Sequence, residues 1–184
     1  MKNIPVTKPY FTDEINYINE VLQSGWVAQG QRVAEFEKLV ASHEECKYGI
    51  ATSSCTTALH LLFVSLGIGK SDDVLVPSFT FIATPNSVQY TSATPVFVDN
   101  LPDTTFSVDP DAILDCIENK YSRKADGTLT NKSTGNCLKG IIAVHLFGLC
   151  ANMERIKQIA EKYQLWVVED SACALGARIN SKPQ

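Results

Sequence analysis

The chain has 184 residues, of which 45% are hydrophobic and 20% charged, with a formal net charge of −4. That length suits one ordinary domain with a sizeable core, and a pI near 5.4 argues against a nucleic-acid or anionic-membrane surface. Met1–Pro5 carries no apolar run of signal-peptide type and no stretch approaches transmembrane length. The six cysteines show neither Cys-x-x-Cys spacing nor a zinc-type Cys/His cluster, so reduced thiols, a cytoplasmic location and no metal site are expected.

Two helices come first. Thr12 is placed to cap a helix through Gln23 that carries Ile15, Ile18 and Leu22 on one face, with Gly25 beyond its end. Val33, Phe36 and Val40 mark a second helix from Gln31 to His43. The pattern then alternates: strands at Tyr48–Ala51, Val74–Val76, Pro95–Val98, Gly140–Val144 and Leu165–Val168, and helices at Thr56–Leu66, Thr84–Tyr90, Pro110–Asn119 and Met153–Tyr163. Short apolar strands alternating with helices predict an α/β fold of three layers, a mostly parallel sheet with helices on both faces. The polar stretch from Tyr121 to Leu138 breaks the rhythm. It reads as a surface excursion with a small hairpin at Asp126-Gly127, and no catalytic residue is placed in it.

Chemistry is expected at the carboxyl ends of the strands, where open α/β sheets bind ligands. The apolar strand ending at Glu169-Asp170 puts a carboxylate there, followed by the small residues Ser171-Ala172. A buried ionised acid needs a positive partner, and no nearby Lys or Arg is an obvious one, so a cationic ligand is a candidate. Capping of a following helix is the plain alternative for Asp170. Ser53, Ser54, Cys55, Thr56 and Thr57 open a helix, where free amides and hydroxyls suit a phosphate; simple capping explains them equally well. Phe79 and Phe81 sit in the next strand-to-helix loop, as core or as cover for a flat heteroaromatic ligand. His145 follows a strand in the same way, and a lone histidine there is more often a hydrogen-bonding residue than a catalyst. Gly69-Lys70-Ser71 lacks the glycine a Walker A loop needs at Val64, and no G-x-G-x-x-G follows a strand. Hydroxyls at a helix start, an aromatic, a histidine and a carboxylate at one sheet edge together suit a flat cationic ring bearing a phosphate, as in pyridoxal 5'-phosphate.

Several segments then carry a resemblance: Ser24-Gly25-Trp26-Val27-Ala28-Gln29-Gly30, Phe36-Glu37, Ser54-Cys55-Thr56-Thr57-Ala58-Leu59-His60, Pro77-Ser78-Phe79-Thr80-Phe81-Ile82-Ala83-Thr84, Ala93-Thr94-Pro95-Val96-Phe97-Val98-Asp99, His145-Leu146-Phe147-Gly148 and Glu169-Asp170-Ser171-Ala172-Cys173-Ala174-Leu175-Gly176. In this order and spacing the chain resembles the nucleotide-sugar aminotransferases of the DegT/StrS type, within fold type I of the pyridoxal-phosphate enzymes. The resemblance implies that Asp170 pairs with the pyridine nitrogen and Phe81 stacks on the ring. It puts Ser54, Cys55, Thr56 and Thr57 in the phosphate-binding loop, Cys173 beside the ring edge, and His145 at the catalytic end. It further implies transfer of an amino group from glutamate to a nucleotide-linked keto-sugar by a homodimer.

Two residues depart from the family's pattern: Cys55, often Gly, and Cys173, often Gln or His. The family's Schiff-base lysine comes well after the Asp in a segment nothing here matches. Lys182, twelve residues beyond Asp170, resembles only the turn before it. The expectation is therefore an N-terminal part of the cofactor-binding large domain. It comprises helices over 1–45 and an α/β sheet over 46–184, without the C-terminal small domain. No multiple turnover is expected from it alone, and it should pair with itself or with a chain supplying the missing half. A dehydratase of the same family, or a non-catalytic cofactor-binding remnant, is the competing reading.

Overall fold

The computed structural model describes residues 8–180 and 182–183, so Met1–Pro5 of the sequence reading lies outside the described residues. Helix α1 spans Glu14–Ser24 and α2 Gln31–His43. The α1 cap is a correction: Asp13, not Thr12, is the boundary residue and makes no side-chain capping bond, while the Glu14 carboxylate takes the Thr12 amide. Gly25 ends α1 in the left-handed region at φ 71°, as its place beyond the helix predicts. Trp26 lies close over Gly30, so a side chain at that position would push against the indole. Ile15, Ile18 and Leu22 remain exposed, together with Phe36 and Leu39 of α2.

The sheet begins with β1 (Asp72–Pro77) and β2 (Thr94–Val98). Strands β3 (Tyr121–Arg123) and β4 (Leu129–Asn131) form the hairpin around Asp126-Gly127. Strands β5 (Cys137–Val144) and β6 (Trp166–Asp170) complete it, and a separate two-stranded ribbon joins β7 (Arg178–Ile179) to β8 (Lys182–Pro183). The parallel part runs in the order β2-β1-β5-β6, and the antiparallel β3–β4 hairpin attaches near the start of β5 through Thr130 and Cys137. Helices α3 (Cys55–Ser65), α4 (Ala83–Gln89), α5 (Pro110–Lys120) and α6 (Met153–Tyr163) fill the connections.

Alternation along the strands builds the layers. Val74 and Val76 of β1 and Ile142 of β5 point one way, into a core with Leu59 and Phe63 of α3 and Val88 of α4. Leu75, Ile141 and Ala143 point the other way, against Ile113 and Ile117 of α5 and Ile156 and Ile159 of α6. Each fully buried aliphatic or Phe side chain contributes about 1.5–3 kcal/mol of transfer free energy. This is the expected three-layer arrangement, with helices on both faces.

One predicted strand is corrected. Tyr48–Ala51 has no neighbouring strand among the described residues; the Ala51 amide is satisfied by the Glu37 carboxylate at 2.9 Å, and Tyr48 and Ile50 stay exposed. A β-strand exists through its ladder, so extended backbone without a partner is not one.

The polar excursion is anchored below the sheet. Asp73, buried at the start of β1, accepts from the Tyr121 hydroxyl (2.8 Å) and from the side-chain amides of Asn131 and Asn136 (2.9 Å each). Burial and the adjacent Asp73 both raise the Tyr121 hydroxyl above its ordinary range.

Candidate functional site

Because β1, β5 and β6 are parallel, the residues that follow them gather at one edge of the sheet. Phe81 follows β1, His145 follows β5, and Asp170 ends β6. The start of α3 joins them there, since the Cys55 thiol lies 3.7 Å from Asp170 Oδ1. Four segments singled out in the sequence thus meet at the carboxyl ends of these strands.

Asp170 is only 6% exposed, and every group found on it is neutral. Oδ1 accepts from the Ala172 amide (3.2 Å) and the Cys55 thiol, and Oδ2 accepts from the Thr84 hydroxyl at 2.9 Å. No ion pair reaches it among the described residues. Helix capping does not explain the residue: β6 runs into a turn at Ser171–Ala174, and the Ala172 contact is a local Asx turn. A buried carboxylate with donors but no counter-charge is suited to a cationic ligand.

At the start of α3 the hydroxyls are largely committed. Ser54 accepts from the Thr57 amide and the Thr57 hydroxyl accepts from the Ser54 amide, a reciprocal capping box. The plain capping role is therefore real for both residues. The amides of Cys55 and Thr56 find no acceptor among the described residues, so the helix still presents two N–H groups to an anion. The Cys55 thiol is pushed up to about 11, by burial first and then by the Asp170 charge, so it remains a neutral donor near pH 7. Cys173 is exposed and is the other thiol whose field Cys55 feels. Phe81 is 76% exposed, so it is not a core residue.

His145 is engaged on both ring nitrogens and fully buried. Nδ1 accepts from the Ala151 amide at 3.1 Å, which leaves the proton on Nε2, and Nε2 lies 3.0 Å from Glu169 Oε2. Lys157 of α6 pairs with the other Glu169 oxygen at 3.3 Å. The His145 hydrogen bond leads in holding Glu169 below the ordinary glutamate range; burial opposes it and Lys157 assists. Such a ring braces the turn through Phe147 and Gly148, where Phe147 sits in the left-handed region at φ 55°. The arrangement favours the structural role for His145 over proton transfer.

Two residues here had no role in the sequence reading. Thr84 sits 86 positions from the Asp170 it bonds, and nothing local to a threonine at a helix start distinguishes it from a cap. Glu169 was visible only as the neighbour of Asp170. Two concavities of about 680 and 690 Å³ lie around α1 and α2, and none of these site residues lines them. In the first, Arg32 is already paired with Glu20 and Glu35, so its size alone does not make it a site.

The profile of the DegT/DnrJ/EryC1/StrS aminotransferases matches residues 11–184. The chain belongs to that family. It is similar to GDP-perosamine synthase of Escherichia coli O157:H7, with 38% identity over 99% of this chain and 46% of the relative. It is also similar to the UDP-4-amino-4-deoxy-L-arabinose–oxoglutarate aminotransferase of Shewanella sediminis, with 32% identity over 98% of this chain and 42% of that one. Among solved structures, NtdA of Bacillus subtilis with bound cofactor PMP superposes with a TM-score of 0.76 at 34% identity, over 89% of this chain and 34% of that chain. The chain thus spans less than half the length of these relatives. The residues present fit the family's cofactor: a buried carboxylate with no counter-charge among the described residues stands beside a helix start with two amides that find no acceptor there, and the exposed Phe81 follows β1 at the same end of the sheet.

Proposed function

We propose that this chain forms the cofactor-facing N-terminal part of a pyridoxal-phosphate-dependent aminotransferase that moves an amino group from glutamate to a nucleotide-linked keto-sugar. The observation that carries it is Asp170, a buried carboxylate held by three neutral donors and lacking a cation. Against a pyridinium, Asp170 supplies the counter-charge that keeps the ring nitrogen protonated. When bound, the cofactor acts as an electron sink for the amino-transfer chemistry. The Cys55 and Thr56 amides at the positive end of α3 would hold its phosphate, the Ser54–Thr57 capping box keeping that turn rigid. Phe81 would cover one ring face, and Cys173 would stand near the ring edge as a weak donor.

The exposed apolar residues of α1, α2 and α3, among them Ile18, Phe36 and Leu61, support pairing with a second copy or with the rest of a longer polypeptide. No described helix is long and apolar enough to cross a membrane.

Pyridoxamine 5'-phosphate tests the reading, because it needs no lysine to bind. We expect measurable affinity that falls by roughly 2–5 kcal/mol in Asp170→Ala, the cost of breaking a desolvated charge pair. Equal affinity in the two proteins would remove Asp170 from the site.

A further inference from the structure

We propose that Thr84 is a positioning residue for the cofactor: its hydroxyl, fed by Thr80, fixes the Asp170 carboxylate and leaves one lone-pair site for the pyridine nitrogen. The inference rests on the cofactor reading above and extends it to a residue outside the cofactor contacts.

A carboxylate offers about four lone-pair sites. Three are taken here, by the Ala172 amide and the Cys55 thiol on Oδ1 and by the Thr84 hydroxyl on Oδ2. These three donors are unequal. The Ala172 bond is a local turn contact two residues away, and the thiol bond at 3.7 Å is long and weak. Thr84 makes the shortest of the three, is alone on Oδ2, and reaches Asp170 from a different element. Deleting that donor would free the carboxylate to turn about its last bond, since both remaining donors hold the same oxygen.

The environment of Thr84 supports the assignment. The residue is fully buried in the first turn of α4, yet no side chain caps that helix. Its hydroxyl is therefore committed to the sheet side. An ionised carboxylate only accepts, so Thr84 gives its single hydrogen to Asp170. The Thr80 hydroxyl, 3.0 Å away, must then donate to Thr84. This sets a one-way line, Thr80 to Thr84 to Asp170. Thr80 immediately precedes Phe81, so the segment bearing the aromatic cover and the carboxylate share one hydrogen-bonded line. Cooperative polarisation along such a chain strengthens its last bond.

Thr84→Val keeps shape and removes the donor, whereas Thr84→Ser keeps the donor. Each chain is titrated with pyridoxamine 5'-phosphate, following ring fluorescence for affinity and the absorption spectrum against pH for the protonation of the ring nitrogen. We expect Thr84→Val to bind about tenfold more weakly, with the bound ring losing its pyridinium spectrum at lower pH than in wild type. Thr84→Ser should stay within about twofold of wild type in affinity, with an unchanged spectrum. A merely structural threonine would shift melting temperature without moving the spectrum. Thr84→Val matching wild type in affinity and spectrum overturns the inference, as does an equal loss in both variants that tracks their melting temperatures. A wild-type chain that takes up no pyridoxamine phosphate overturns the cofactor reading itself, and this inference with it.

Discussion

Replacing His145 with leucine separates bracing from catalysis. The ring is fully buried and donates to Glu169 while accepting from Ala151, so His145→Leu deletes two hydrogen bonds and leaves no large cavity. The Ala151 amide, bonded only to His145, would be left without an acceptor, at about 1–3 kcal/mol. The bond to the Glu169 carboxylate is charge-assisted, worth roughly 1.5–3 kcal/mol in such settings. Glu169 is one-quarter exposed and keeps Lys157, so the lower end applies to it. The expected loss is about 3 kcal/mol, read as a fall in the urea midpoint with an unchanged slope. A loss under about 1 kcal/mol would refute the bracing argument. Intact stability with abolished pyridoxamine-phosphate binding would instead put the ring at the cofactor.

The Glu169 contact predicts a pH dependence. A carboxyl held below its unfolded value of about 4.3 contributes stability that is present above that pH and is lost as pH falls through the folded value. Wild type should therefore lose stability on acidification that Glu169→Gln does not lose; parallel pH–stability curves would contradict this. Cys55 and Cys46 are both solvent-exposed, but partial desolvation and the neighbouring Asp170 push the Cys55 thiol up to about 11, so it should alkylate more slowly at pH 8 than Cys46, and Asp170→Asn should speed it up. Mass spectrometry of timed labelling checks both statements, and identical rates with and without the carboxylate would count against the contact. Asp73→Ala strands the buried Tyr121 hydroxyl and removes two amide contacts, so a loss of about 3–5 kcal/mol is expected in chemical denaturation. A near-neutral result would mean that water replaces Asp73.

Much of the architecture was readable because it depends on local pattern. Helices α2 and α6 fall at the predicted residues, since apolar spacing and punctuation by Pro, Gly and Asn act within a turn or two of the chain. The two-residue period of β1 and β5 already contained both cores, and parallel order then put the Phe81, His145 and Asp170 segments at one edge. Tyr48–Ala51 failed for the opposite reason: a strand is a property of two segments, and one sequence window holds only one. The same limit governs the site. Residue types and order identified Asp170 as a carboxylate in need of a cation, but the tertiary structure alone decided what surrounds it. Thr84 and Cys55 lie 86 and 115 positions away and reach it only after the sheet and α3 have assembled. Tertiary structure likewise decided that His145 is braced. A hydrogen bond needs its donor and acceptor within about 3 Å, and sequence spacing does not encode that distance across different elements.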